Sequence, residues 1–258
     1  MDVSRASWVK YINALRQVSQ KATDSMDYYI QSFGMPQTEA EIEEFVYAAY
    51  NVSTKYGEAA AELAAQMYDV VADLSGMALD PAMPAQTATY AETAKAVRGT
   101  LKTGNGKIVT DAVGRLVKMA GVDTTMKNAI RDGASWAWVP NGDTCAFCIT
   151  LASRGWQRAS KKALNGGHAT HIHANCDCTY AIRFNERDSV QGYDPEEYQD
   201  MYYGADLDGT APTAKNRINA MRREFYAENK VQINEQKRDA YQKREERNSS
   251  AAEETNVD

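Results

Sequence analysis

The amino-acid sequence predicts an α+β fold that is predominantly helical. Three observations indicate this class. Apolar residues recur at helical spacing over most of the first 135 residues, all cysteines and histidines lie between residues 145 and 178, and a charged stretch of helical composition follows. A period near 3.6 residues indicates amphipathic helices, whereas a segment rich in Cys, His and Gly without that period indicates a loop-rich module.

The N-terminal region is expected to form two long helices. Residues 5–32 place large apolar side chains at helical spacing, and the break "FGMPQ" that follows contains the Gly and Pro that end a helix. Thr38 followed by Glu41 has the spacing of a capping box. A second helix is therefore predicted to begin after Thr38 and to extend through Val70.

Shorter helices are predicted after a connector. The connector covers residues 74–84, which contain a Gly and two Pro. Helical spacing then predicts three further helices, over residues 87–101, 106–119 and 124–135.

The character of the chain changes at Trp136. From there to Phe184 no helical period is sustained, and residues 178–184 alternate well enough to predict a short strand. A last helix is predicted from Thr213 to Arg247, and its later half is nearly all polar. Residues 248–258 have the composition of a disordered tail.

Composition and charge exclude several classes of protein. No run of eighteen apolar residues occurs, and the N-terminus has no charged head followed by an apolar block, so neither a membrane span nor a secretory signal is expected. A cytosolic protein without disulfides is the expectation. The net charge of −6 argues against a general nucleic-acid-coating protein.

Basic residues are nevertheless concentrated in two places. Residues 215–247 hold ten Lys or Arg against six Asp or Glu, so this stretch could contact phosphate or form a solvated helix face. The loop 153–162 carries four cations, Arg154, Arg158, Lys161 and Lys162, beside Trp156. That loop is either a phosphate-and-stacking patch or an exposed basic loop with Trp156 folded inward.

The cysteines have the spacing of metal ligands. Cys145 and Cys148 form a C-x2-C pair in a predicted turn, and two thiolates so spaced can hold one tetrahedral zinc ion. His173, Cys176 and Cys178 follow as H-x2-C-x-C. The preferred ligand set is Cys145, Cys148, His173 and Cys176, with Cys178 competing for the place of His173. His168 and His171 are interpreted as spacers or outer hydrogen-bond donors. The α/β module is thus expected to be zinc-braced.

Other interpretations of the cluster are weaker. A redox C-x-x-C is expected within a βαβ pattern, and none surrounds this one. Unrelated buried cysteines would not fall within 34 residues of one another. Four protein ligands close the coordination sphere of zinc, so a structural ion is predicted rather than a catalytic one.

The sequence also lacks the signatures of catalytic zinc. The H-x-E of zinc deaminases and the H-E-x-x-H of zincins are both absent. The stretch "HATHIHAN" with the following Asp177 is similar to the residue mix of His-Asn-His nucleases. A zinc-braced nuclease that uses His168 or His171 is therefore the alternative function, and an intracellular binding module is a third class.

The Cys/His cluster resembles a known family. "WAWVPNGDTCAFCITLASRGW" followed by "HIHANCDCTYAIRF" is similar to the minor head proteins of tailed bacteriophages related to the Mu F head-morphogenesis protein. The shared pattern is an acidic residue before C-x-x-C and then H-x-x-C-x-C leading into a strand, with Asp143 as the acidic residue here. The resemblance covers residues 124–185. Ala174, Asn175 and Asp177 depart from the family pattern, which indicates a divergent branch.

The resemblance implies a structural role in the virion without enzymatic activity. Such proteins act in head morphogenesis and associate with the portal vertex inside the head. The implied partners are the portal protein and the major capsid protein, and double-stranded DNA through the basic C-terminal helix. The implied location is the virion, with the host cytoplasm as the site of assembly. Four segments are predicted: a helical region at 1–84, a head-protein module at 85–205, a C-terminal helix at 206–247 and a tail at 248–258.

Overall fold

The computed structural model describes residues 2–141, 144–161 and 178–231, together with residues 235 and 238. The helices are α1 Arg5–Phe33, α2 Glu39–Leu74, α3 Tyr90–Leu101, α4 Gly106–Asp132, α5 Ala146–Ala152 and α6 Pro195–Gly204. The strands are β1 Ser135–Val139, β2 Gln157–Arg158 and β3 Thr179–Arg183. Residues 214–231 are also helical. Helices thus predominate over a small sheet, which confirms the predicted α+β class.

The first two helices begin at capped ends. Ser4 accepts a hydrogen bond from the backbone N–H of Ser7 at the start of α1. At the start of α2, the Thr38 side chain accepts from the N–H of Glu41, and the Glu41 carboxylate accepts from the N–H of Thr38. The reciprocal pair satisfies two of the backbone donors that a helix leaves unpaired at its N-terminus. Both predicted helices and the predicted capping box are confirmed.

The segment predicted as two helices, 106–119 and 124–135, forms the single helix α4. The predicted break between residues 119 and 124 is therefore wrong, and the helix ends at Asp132, before the predicted end at residue 135. Gly121 lies where α4 crosses α2: a Cβ there would come within 3.2 Å of the Ala60 carbonyl oxygen. The glycine therefore allows two helices to approach closely, and α4 continues through it because tertiary packing outweighs the weak helix propensity of Gly.

Two of the buried clusters among the described residues show how the helices pack with one another and with the sheet. One joins Trp8, Tyr68 and Met126 of the helices to Trp136 and Tyr180 of the sheet. The other lies between the helices and contains mainly aliphatic side chains: Met26, Phe45, Val46, Ala49, Val97, Val109 and Val113. The first cluster spans the helices and the strands, so the sheet packs directly on the helical layer.

The sheet has the strand order β2-β1-β3, and both pairings are antiparallel. The strand predicted at 178–184 is confirmed as β3, whereas the central strand β1 and the short β2 were not predicted. Tyr180 packs between two indoles, with ring centroids 4.5 Å from Trp136 and 4.8 Å from Trp138. These rings anchor the sheet to the core.

The chain divides into two compact units, residues 1–198 and residues 199–258. In the second unit, the Arg217 guanidinium lies 5.1 Å from the Tyr203 ring centroid and donates hydrogen bonds to the carbonyls of Tyr202 and Tyr203. Arg223 donates to the carbonyl oxygen of Asp206 at 3.2 Å. The described part of the predicted C-terminal helix is confirmed, and two of its cations bind backbone carbonyls.

Some predictions remain open. The four-segment division at 84/85, 205/206 and 247/248 stays a prediction, and the tail at 248–258 lies outside the described residues. Within the part of the chain that the structure describes, no helix combines the length and the apolar character needed to cross a membrane.

Candidate metal centre

The cysteine pair follows the end of the central strand. Strand β1 ends at Val139, and the next residues, Pro140 and Asn141, leave the sheet. Arg5 of α1 donates a hydrogen bond to the Asn141 side-chain oxygen at 3.1 Å. Gly142 and Asp143 lie outside the described residues. This contact links the residues that follow β1 to the start of α1.

Cys145 and Cys148 lie at the start of a helix and not in the turn that was predicted. Cys145 is the N-cap of α5, and Cys148 lies in the first helical turn. Residues three apart share one face of a helix, so both thiols project to the same side. The two Sγ atoms are 3.5 Å apart. Two thiolates on one tetrahedral zinc ion, each bonded at about 2.3 Å, would lie about 3.8 Å apart. The pair therefore fits the zinc ligands that its spacing predicts.

The pair lies at the boundary between the core and the surface. Cys148 is only 1% exposed and belongs to the cluster that includes Leu151 and Trp138, whereas Cys145 is exposed. A metal ion held there would have one ligand anchored in the core and one ligand at the solvent boundary.

Cys178 lies at the end of the sheet from which the chain continues to Cys145 and Cys148. It directly precedes β3, whose first residue, Thr179, is paired with Val139 at the end of β1. Cys178 is 8% exposed. Burial raises the pKa of Tyr198, and the negative charge of Cys178, when that thiol is ionised, raises it further. Cys178 and the residues that follow β1 toward Cys145 therefore lie at the same end of the strands.

The predicted ligands His173 and Cys176 lie outside the described residues, and so do His168 and His171, which were interpreted as spacers or outer hydrogen-bond donors. Among the described residues, no three His, Cys, Asp or Glu side chains are grouped so that they could hold a metal ion. A four-ligand site at Cys145 and Cys148 would accordingly need at least one ligand from the segment 162–177. The complete ligand set, including the competition between His173 and Cys178, stays a prediction.

Sequence reasoning assigned no role to Tyr193, which braces α5. Its hydroxyl donates a hydrogen bond of 2.9 Å to the carbonyl of Ala152, the last residue of that helix. Its ring packs edge-on against Trp156 at 5.9 Å. No local pattern could have indicated the hydrogen bond between Tyr193 and Ala152, because these residues are 41 positions apart.

Comparisons with known proteins place the chain in a family. A protein-family model described as "VG15 protein" matches residues 2–205, which include α1–α6, the sheet and all four cysteines. No curated protein and no solved structure matches. Because the match covers more than half of the sequence, the chain belongs to the VG15 protein family, a family of phage proteins.

Proposed function

We propose that this chain is a minor capsid protein of a phage head: a structural, non-enzymatic component that acts in head morphogenesis. It would associate with the portal vertex inside the head, after assembly in the host cytoplasm. The observation that carries the proposal is the match to a phage protein family over residues 2–205. The C-x-x-C and H-x-x-C-x-C pattern of Cys145 to Cys178 points more narrowly to head proteins related to Mu F.

A structural zinc ion is part of the proposal. Cys145 and Cys148 would hold it with two ligands from His173, Cys176 and Cys178. The 3.5 Å separation of the Cys145 and Cys148 sulfurs supports a shared ion. Four protein ligands leave no coordination position for water or substrate, so the ion would stabilise the fold and would not perform chemistry.

The helical layer offers surface for subunit contacts. Long helices α1 and α2 expose several aromatic side chains, among them Phe33 at 75% and Tyr47 at 61%. Exposed aromatic side chains are enriched in protein–protein interfaces. We take the portal protein and the major capsid protein as the partners that these faces would contact.

The composition of purified particles tests the proposed function. Mass spectrometry of particles of the phage that encodes this chain should find the protein at a few copies per portal ring. Immobilised protein should also retain the portal protein from an infected lysate. Absence from particles, with the protein abundant in the same lysate, would contradict the structural role and favour an intracellular binding module.

A cleavage assay tests the absence of enzymatic activity. Zinc-loaded protein incubated with duplex DNA and Mg²⁺ should leave the DNA intact. Mg²⁺-dependent cutting that is lost in His171→Ala or His168→Ala would instead establish the nuclease.

A further inference from the structure

Strands β2 and β3 place two arginines on one face of the sheet. Ser135 of β1 is paired with Arg158 on one side and with Arg183 on the other. Residues paired across antiparallel strands project to the same face of a sheet. With neighbouring strands about 4.8 Å apart, the two arginines start about 10 Å from each other.

Arg183 is held in position by its neighbours. Its guanidinium carbon lies 4.8 Å from the centroid of the Trp156 ring. One nitrogen of the same guanidinium donates a hydrogen bond of 2.7 Å to the Glu186 carbonyl oxygen. Gly155, whose φ is +62°, provides the turn that directs Trp156 toward Tyr193. The Arg183 side chain is therefore ordered before any ligand arrives, which lowers the entropic cost of binding.

The surroundings add positive charge with little compensation. Residues 153–161 contain three cations and no acid, and residues 183–187 contain two cations and one acid. We name this set the sheet patch: Arg154, Arg158, Lys161, Arg183 and Arg187. Within the described part of the chain, none of the five lies within ion-pair distance of a carboxylate. Four of the five are exposed in a chain whose net charge is −6.

We propose that the sheet patch binds the phosphate backbone of double-stranded DNA. The binding surface follows from the structure, whereas the choice of DNA as the polyanion rests on the proposed function. Arginines dominate the patch, and guanidinium groups match phosphate oxygens with paired hydrogen bonds. The indole of Trp156 is covered by Arg183 and packed against Tyr193, so it is not available for stacking on an unpaired base. A duplex backbone therefore fits better than a single strand, which needs stacking surfaces.

The sheet patch is a better candidate than the basic C-terminal helix within its described residues. Arg217 and Arg223 of that helix already bind the carbonyls of Tyr202, Tyr203 and Asp206. These hydrogen bonds hold the two guanidinium groups against the backbone of residues 202–206. The guanidinium groups of Arg154 and Arg158 make no hydrogen bond with another described side chain or backbone group, so their donors can turn to a phosphate.

Fluorescence anisotropy with a labelled 25-base-pair duplex, over a series of salt concentrations, tests the proposal on the full-length zinc-loaded chain. Each phosphate contact contributes about 0.9 to the slope of log affinity against log salt. The double variant Arg154→Gln/Arg158→Gln should lower that slope by about 2 and weaken binding at least tenfold in low salt. The matched control Lys215→Gln/Arg222→Gln makes the same change in net charge at two exposed positions of the C-terminal helix. It should stay within about twofold of the unchanged protein.

The variant Arg183→Lys tests whether DNA binding depends on the planar guanidinium group or only on the positive charge at this position. It keeps the positive charge and loses the planar group on Trp156, so binding should weaken at an unchanged salt slope. Circular dichroism verifies that each variant is folded.

The contrary outcomes are distinct. A larger loss in the control than in the patch variant would assign DNA contact to the C-terminal helix. Tighter binding of a single strand, of duplex RNA or of polyglutamate than of duplex DNA would also overturn the proposal, as would no binding in low salt. The particle-composition experiment is independent of this one, so a failure here leaves the structural role untouched.

Discussion

The four helices α1–α4 and the cysteine segment, residues 140–178 between β1 and β3, differ in the packing that their sequences offer. The helices bury large side chains against one another, as Met26, Phe45 and Val113 do in the cluster between them. By contrast, the sequence of residues 162–177 offers only Leu164 and Ile172 as large apolar side chains. Packing stabilises a region with many buried groups, whereas a region with few needs another source of stability. A metal ion bound by Cys and His side chains is such a source.

This contrast predicts that the largest single loss comes from the shared core. Trp8 is 1% exposed and belongs to the cluster that joins the helices to the sheet. Trp8→Ala should reduce the free energy of unfolding by about 3–5 kcal/mol, because removing a buried aromatic ring leaves a cavity. Guanidinium denaturation measures the loss. Phe33→Ala is the matched control, since Phe33 is 75% exposed and its removal should cost little. Equal losses would contradict the assignment of the core.

The next prediction concerns the thiols. Cys145→Ser should lower the bound zinc from about one ion per chain to nearly none and should destabilise the cysteine segment by several kcal/mol, because binding energy there is folding energy. Elemental analysis and thermal denaturation with and without a chelator measure both effects. Wild-type protein whose melting temperature does not respond to the chelator would refute the structural zinc.

Substituting two helical glycines by alanine separates the effect of close helix packing on stability from the effect of helix propensity. Gly121→Ala places a methyl group 3.2 Å from the Ala60 carbonyl oxygen and should destabilise by about 1–3 kcal/mol, as overpacking does. Gly99→Ala in α3 meets nothing within 4 Å and should stabilise by up to about 1 kcal/mol, because Ala favours the helix. The same substitution thus has opposite signs at the two positions. Stabilisation at Gly121 would show that the two helices do not approach as closely as described.

The smallest expected effects come from helix caps. Thr38→Ala and Thr89→Ala should each reduce the free energy of unfolding by about 1 kcal/mol, since each removes a side-chain acceptor at a helix N-terminus. Thermal denaturation detects the change. Thr54→Ala serves as a control and should not lower the free energy of unfolding, because Thr54 lies in the interior of α2, caps no helix, and its buried Oγ1 has no hydrogen-bond partner among the described residues.

Acidification should weaken the caps as well. Backbone hydrogen bonds from Gln37 and Thr38 hold the pKa of Glu41 below its ordinary value. Such a carboxylate stabilises the fold above the pKa that it has in the unfolded chain, and this contribution disappears as the pH falls through the lowered pKa of the folded state. The stability of Glu41→Gln should therefore depend less on pH between about 5 and 3 than that of the unchanged chain. Identical pH profiles would rule out the capping contribution of Glu41.

The fold was predictable where local signals and packing agree. The capping box at Thr38 and the period of α1 and α2 were read from the sequence because neighbouring residues form them. The break placed near Gly121 was wrong because that glycine is required by Ala60 on another helix, a contact that no local pattern carries.

At the candidate metal centre, too, local features could be predicted from the sequence and long-range contacts could not. The spacing of Cys145 and Cys148 predicted that the two thiols could share one ion, and their sulfurs lie 3.5 Å apart, although the shared zinc stays a prediction. The helix that carries them, the strand β1 and the brace from Tyr193 depend on residues distant in sequence. Sequence periodicity cannot reveal such elements, because strand pairing and aromatic packing decide them.

Hydrogen exchange measured by mass spectrometry, before and after chelation of zinc, tests the central contrast most directly. The account predicts that chelation accelerates exchange in peptides between residues 140 and 185, while peptides of α1, α2 and α4 keep their protection. Unchanged exchange in the cysteine segment would contradict the metal as its source of order. Faster exchange in α1, α2 and α4 after chelation would contradict the claim that packing stabilises these helices without the metal.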